Sequence, residues 1–204
     1  MSDLMADPMS DTVQKGVLFI VSAPSGAGKT TLCNALQSRF KSLAYSVSHT
    51  TRPPRKNEVN GQDYFFISKE MFEEKIRNGK WAEWATVHGN YYGTCAEKLN
   101  ELLSSGRHIL LDIDVAGAAQ IKSRFPESIA IFIMPPSIEI LESRLRSRGT
   151  DKEEEILKRI AHAHKEIAGS DFYDHIVVND RLDDAINALS GLICKYTGED
   201  EKHV

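Results

Sequence analysis

Gly26, Gly28, Lys29 and Thr30, set close together in Ala23-Pro-Ser-Gly-Ala-Gly-Lys-Thr-Thr31, are residue types that can hold phosphate groups without covalent chemistry. Small residues let successive backbone N–H groups turn toward an anion, and the start of a helix adds positive potential. Lys29 can then reach the outer phosphates of a nucleotide, and the Thr30 hydroxyl can meet Mg²⁺. Ala23, Pro24, Ser25, Gly26, Ala27, Gly28, Lys29, Thr30 and Thr31 are therefore candidate triphosphate ligands. Ala23 stands where the general Gly-x-x-x-x-Gly-Lys-[Ser/Thr] pattern has glycine. The alternative is a glycine-rich turn with a lysine in solvent, but a turn alone does not require Gly-x-Gly-Lys-Thr-Thr.

Other charged residues could serve the same chemistry. Asp112, with Asp114 two positions on, follows the apolar run Ile109-Leu-Leu111; a carboxylate there can order Mg²⁺ or its water shell. In Ser46-Val-Ser-His-Thr-Thr-Arg-Pro-Pro-Arg55 the prolines keep the backbone extended, so Arg52 and Arg55 can fork onto one phosphate. Loop arginines are ordinarily solvated; what favours a site is the set that follows, Tyr64, Glu83 and Tyr92. Arg144 and Arg148 lie four apart on one polar helix face, opposite Ile138, Leu141 and Leu145, and Arg159 follows after an expected cap at Thr150 or Asp151. Arg146 reads as solvated. His162 and His164, two apart on a helix, point to different faces, so no zinc is assigned.

These residues need a frame that brings distant segments together. The chain has 204 residues with 41% hydrophobic and 26% charged side chains, enough for a packed core without disulfides. Val17–Val21, Ile109–Leu111, Ile129–Met134 and Ile176–Val178 are apolar runs suited to strands buried on both faces. Helical patterns alternate with them, the first marked by Leu32, Leu36 and Phe40 and the last by Leu182, Ile186 and Leu189. That order predicts a parallel sheet covered by helices. Two segments interrupt it. The first holds a short strand at Tyr64–Ile67, a helix opened by Ser68 and closed near Gly79, and an aromatic stretch; the second is dense in arginine. Thr94-Cys-Ala-Glu97 also reads as a capping box for a helix carrying Leu99 and Leu103. A formal net charge of -4 provides no global field for nucleic acid or an anionic membrane, and no apolar run is long enough to span a bilayer. Widely spaced Cys33, Cys95 and Cys194 suit a reducing compartment, so a cytoplasmic location is expected.

The chain resembles the guanylate kinase family from about Gly16 to Leu192. The resemblance is carried by residues 22–30, 46–55, Gly89-Asn-Tyr-Tyr-Gly-Thr94, Leu111-Asp-Ile-Asp114 and Val178-Asn-Asp180. It implies an α/β P-loop NTPase fold: a parallel five-stranded sheet flanked by helices, with an inserted GMP-binding lobe and a helical lid. The expected division is a flexible tail at 1–15, a core at 16–49, 95–136 and 160–204, a lobe at 50–94 and a lid at 137–159. The implied reaction is γ-phosphoryl transfer from ATP to GMP, with Mg²⁺ as cofactor and dGMP as a further acceptor; a homo-oligomer is left open. Lys29, Arg52, Arg144, Arg148 and Arg159 would be catalytic, and Asn179 would lie near the adenine. Arg52, Arg55, Tyr64 and Tyr92 would hold the GMP phosphate, with Asp112 and Asp114 beside the acceptor. Glu83 would accept both guanine N–H groups while Ser48 and Thr94 donate toward O6. A phosphopeptide-binding module without turnover is the rival reading. A GTP-hydrolysing switch is disfavoured because the sequence has no Asn-Lys-x-Asp motif.

Overall fold

The computed structural model describes residues 14–87, 89–147, 149 and 151–199, so the expected tail lies outside the described residues except for Gln14 and Lys15. In chain order the elements are β1 (Leu18–Ser22), α1 (Lys29–Arg39), β2 (Ala44–Tyr45), β3 (His49–Thr50), β4 (Phe65–Phe66), α2 (Lys69–Arg77), β5 (Trp81–Val87), β6 (Asn90–Cys95) and α3 (Ala96–Ser104). They continue with β7 (Ile109–Asp112), α4 (Val115–Arg124), β8 (Ile129–Met134), α5 (Ile138–Ser147), α6 (Glu153–Ala168), β9 (His175–Val178) and α7 (Leu182–Thr197).

β2, β7, β1, β8 and β9 form one five-stranded sheet in that order, with every pairing parallel. Residues of β1 alternate between two cores, as strand pleating requires. Phe19 and Val21 meet Leu32 and Leu36 of α1, Leu189 of α7 and Leu141 of α5. Leu18 and Ile20 meet Leu99 of α3, Ile121 of α4 and Phe132 of β8. Successive connections run to opposite sides of β1, so its carboxyl end is the crevice where open α/β sheets bind ligands. The register pairs Val21 with Asp112, placing that carboxylate beside the same crevice.

A second, four-stranded sheet runs in the order β4-β3-β6-β5. Strand runs of two residues in β3 and β4 gave the sequence too little alternation to reveal it, and the expected strand at Tyr64–Ile67 contracts to Phe65–Phe66. Packing holds this lobe together: the Phe72 ring of α2 stacks on Trp81 at 4.1 Å and on Tyr91 at 5.1 Å. Gly93 permits the close approach, since a Cβ there would lie 2.9 Å from the Glu83 carbonyl oxygen.

Two expected caps are corrected. Cys95, not Thr94, precedes the first residue of α3, and no side chain caps that helix. Lys152 occupies the corresponding position for α6, and Asp151 instead pairs with Arg159 at 3.2 Å; Thr150 lies outside the described residues. In both places a tertiary partner holds the side chain that local pattern assigned to a helix end. α6 continues without a break past residue 159, and Leu141, Leu145, Ile156 and Ala163 root α5 and α6 in the core.

Candidate active site

At the carboxyl end of β1 the chain turns through Gly26 and Gly28, whose φ angles of +94° and +96° lie in the left-handed region that glycine tolerates. The Ala27 N–H donates to the Pro24 carbonyl at 3.0 Å, tightening the loop. Gly28 precedes α1 and no side chain caps the helix, so the first-turn N–H groups face the loop without a side-chain acceptor. Residues Ser25, Gly26, Gly28, Lys29 and Thr30 border a hollow of about 350 Å³ with Glu166 of α6 on its wall. Larger hollows flank Arg124 at the amino ends of the strands, away from these groups.

Lys29 donates to the Ile113 carbonyl at 2.9 Å and forms an ion pair with Asp112. Thr30 is exposed at the first turn of α1, as is Thr31. Asp114 spends one oxygen as the cap of α4, accepting from the Gly117 N–H at 2.7 Å. Asn179 is buried and its amide donates to the Ala27 carbonyl at 2.7 Å, so it braces the glycine-rich loop itself. A Cβ on Gly28 would lie 2.4 Å from that amide nitrogen, which adds a packing reason for glycine to the conformational one.

Glu83 lies across from Thr94 on β5 and β6, brought into register by an irregularity between Trp81 and Glu83. It is 7% exposed, and the Thr94 hydroxyl donates to its Oε1 at 2.6 Å. Burial raises the Glu83 pKa, Asp114 raises it further, and the Thr94 bonds oppose them. The capping-box reading of Thr94 therefore gives way to a cross-strand bond. A Cβ on Gly117 would come within 3.2 Å of Glu83 Oε2, so glycine leaves room for this carboxylate against α4. Gln120, which sequence reasoning passed over, exchanges two 3.1 Å hydrogen bonds with the Trp84 backbone and ties the lobe to α4. Ser48 is half-buried just before β3.

The Arg52 guanidinium donates to the Tyr92 hydroxyl at 3.2 Å, to the Pro53 carbonyl at 2.9 Å and to Glu58 at 2.7 Å. It lies 5.6 Å from the Tyr64 ring centre and 5.9 Å from that of Phe66, while the Tyr64 and Tyr92 rings meet edge to face at 5.8 Å. Arg55 is exposed, and its backbone N–H donates to Glu58 at 2.7 Å. Glu58 was missed in the sequence; the available signal was an acid close behind Arg52, Arg55 and Lys56. Its pKa is lowered, first by Arg52 and then by the Arg55 backbone.

From the arginine-rich segment, Arg144 reaches the Asn179 carbonyl at 3.0 Å and so adjoins the residue that braces the glycine-rich loop. Arg159 is held by Asp151, and Arg148 lies outside the described residues. Arg146 is not simply solvated: it bonds Glu142 at 2.8 Å and Glu153 at 2.5 and 2.7 Å, linking α5 to α6. Among the described residues no three His, Cys, Asp or Glu side chains converge as a cation cage. Mg²⁺ usually takes one or two protein oxygens and completes its shell with phosphates and water, a demand that the Thr30 hydroxyl and the Asp112 carboxylate suit.

A family model described as Guanylate kinase matches residues 15–196. The guanylate kinase of Carboxydothermus hydrogenoformans is 49% identical over 181 residues, covering 89% of this chain and 89% of its own. That of Neisseria gonorrhoeae is 50% identical over 180 residues, or 88% of either chain. In three dimensions the chain is similar to the crystal structure of guanylate kinase from Anaplasma phagocytophilum, with a TM-score of 0.70 and 31% sequence identity, covering 94% of this chain and 91% of that one.

Proposed function

The chain belongs to the guanylate kinase family, and from that premise we propose how its own residues carry out the reaction. That reaction is transfer of the γ-phosphoryl group of ATP to GMP, giving ADP and GDP. The donor phosphates lie in the loop of residues 23–31, on backbone N–H groups other than that of Ala27, which is spent on the Pro24 carbonyl, and Lys29 moves from Asp112 and the Ile113 carbonyl toward them. Arg52, Arg55, Tyr64 and Tyr92 take the acceptor phosphate. Glu83 accepts from guanine N1 and N2 while Ser48 and Thr94 donate toward O6. The Thr94 hydroxyl, engaged by Glu83 in the free chain, turns to the base on binding.

The acceptor oxygen is already anionic, so no general base is needed; the residues orient the two phosphates and stabilise charge spread between them. Mg²⁺, when bound, neutralises part of the donor phosphate charge, and Thr30 and Asp112 are the residues that would hold it directly or through water. Arg144, Arg148 and Arg159 close over the donor from a lid spanning 137–159, while residues 50–94 form the acceptor lobe. The enzyme works in the cytoplasm, on GMP and dGMP, a location that the three widely spaced cysteines suit.

The observation that carries the guanine assignment is the buried Glu83–Thr94 pair, an acceptor beside a donor. Adenine would place an amino group where a donor already points and would lack the N2 amine, leaving groups unpaired at about 1–3 kcal/mol each. An ADP-release assay across AMP, CMP, UMP, dTMP and GMP tests this: turnover should rise sharply only with GMP. GMP binding without ADP release would make the chain a binding module instead.

A further inference from the structure

Arg52 and Arg55 meet an anion that belongs to the protein. Glu58 directs Oε1 to the Arg52 guanidinium and Oε2 to the Arg55 backbone N–H, each at 2.7 Å. The Arg52 and Glu58 side chains are each 16% exposed, so the pair is partly withdrawn from water. One Arg52 edge is thereby divided between a carboxylate at Nη2 and the Tyr92 hydroxyl at Nε. We propose that Glu58 is a specificity-determining residue: its carboxylate is an internal anion seated in the acceptor-phosphate pocket, which an incoming phosphate monoester displaces. This rests on the assignment of Arg52, Arg55, Tyr64 and Tyr92 to that phosphate.

The two partners are anchored unequally. Arg52 keeps the Tyr64 and Phe66 rings and the Pro53 carbonyl whether or not Glu58 is present. Glu58 belongs to a turn closed by its own N–H on the Arg55 carbonyl at 3.0 Å, and residues 53–57 around it are exposed, so its carboxylate can swing outward without opening either sheet. Exchange breaks the carboxylate's two hydrogen bonds and forms bonds to phosphate oxygens, with no proton transferred. A phosphate dianion brings more charge and more acceptor oxygens than the carboxylate it replaces. A neutral nucleoside brings neither and leaves Glu58 in place. Glu58 thus sets a charge threshold on the acceptor, separate from the test of base identity at Glu83.

Calorimetric titration of the full chain with GMP, guanosine and inorganic phosphate, in the wild type and in Glu58→Gln, Glu58→Asp and Arg52→Ala, tests this. Glu58→Gln should bind GMP and inorganic phosphate about fivefold more tightly, the scale of a partly exposed ion pair, with guanosine unchanged. Glu58→Asp, which keeps the charge but shortens the reach, should fall between, and it decides the matter if Glu58→Gln loses guanosine binding through misfolding. Weaker or unchanged GMP binding in Glu58→Gln, with guanosine intact, overturns the proposal and leaves Glu58 a clamp on Arg52. Arg52→Ala should weaken GMP at least about tenfold; if it does not, the pocket assignment fails rather than the role of Glu58.

Discussion

The two anion pockets proposed for this enzyme are built from different materials. The donor pocket is backbone: N–H groups exposed by Gly26 and Gly28 at the start of α1, with Lys29 as its cation. The proposed acceptor pocket is side chain, with Arg52 packed against the Tyr64 and Phe66 rings and answered by Glu58. A backbone cradle exists as soon as its glycines adopt left-handed φ. A side-chain pocket must also keep its cations in place while no substrate is there, so it carries counter-anions of its own. The proposed base site repeats that logic, with Thr94 satisfying Glu83.

Lys29→Met challenges the donor side most severely. Turnover should fall about 10²–10³-fold with little change in the GMP requirement, measured by steady-state kinetics, because the lost charge acts mainly in the transition state. A near-normal rate would mean that the backbone works without its cation. Glu83→Gln challenges the acceptor side: the KM for GMP should rise about 10–100-fold while that for ATP stays put, and equal weakening of both would merge the two pockets into one.

Gly28→Ala probes the cradle as structure. With φ at +96° and its Cβ 2.4 Å from Asn179 Nδ2, the variant should lose about 1–3 kcal/mol in urea denaturation. Gly61→Ala in the lobe, with φ at +82° but its nearest neighbour at 3.5 Å, should lose less, and a reversal would deny that the donor loop is the tighter of the two.

The last test concerns the lobe alone. His49 lies between Phe65 and Trp81, and burial, assisted by Lys75, lowers its pKa from 6.5 to about 4. The unfolded chain therefore takes up the proton first. The contribution is present above 6.5 and is lost as pH falls toward about 4. Thermal midpoints should drop across that window and His49→Phe should flatten the slope; an unchanged slope would place the titration elsewhere.

Much of the strand, glycine turn and helix at residues 18–39 was legible in the sequence because its causes are local. An apolar run, small residues in a tight turn and a following helix lie within one short segment. The spacing of Arg144 and its neighbours likewise announced a charged helix, but not that Arg144 would reach the Asn179 carbonyl or that Arg146 would join α5 to α6. Thr94 shows where local reading stops. As a string, Thr-x-x-Glu is a good helix cap, yet the hydroxyl goes to Glu83 once β5 and β6 pair, and Cys95 is left to precede the helix. Asp114 illustrates the reverse, a suspected ligand that also caps α4.

The amino-acid sequence by itself determined the glycine-rich loop, the buried strands that flank it and the residue types at the proposed acceptor site, since φ preferences and runs of apolar side chains act over neighbouring residues. Tertiary structure decided which carboxylate answers which cation or hydroxyl: Glu58 for Arg52, Glu83 for Thr94, Asp151 for Arg159. A hydrogen bond or ion pair needs two atoms about 3 Å apart, and only the folded register brings distant segments to that distance.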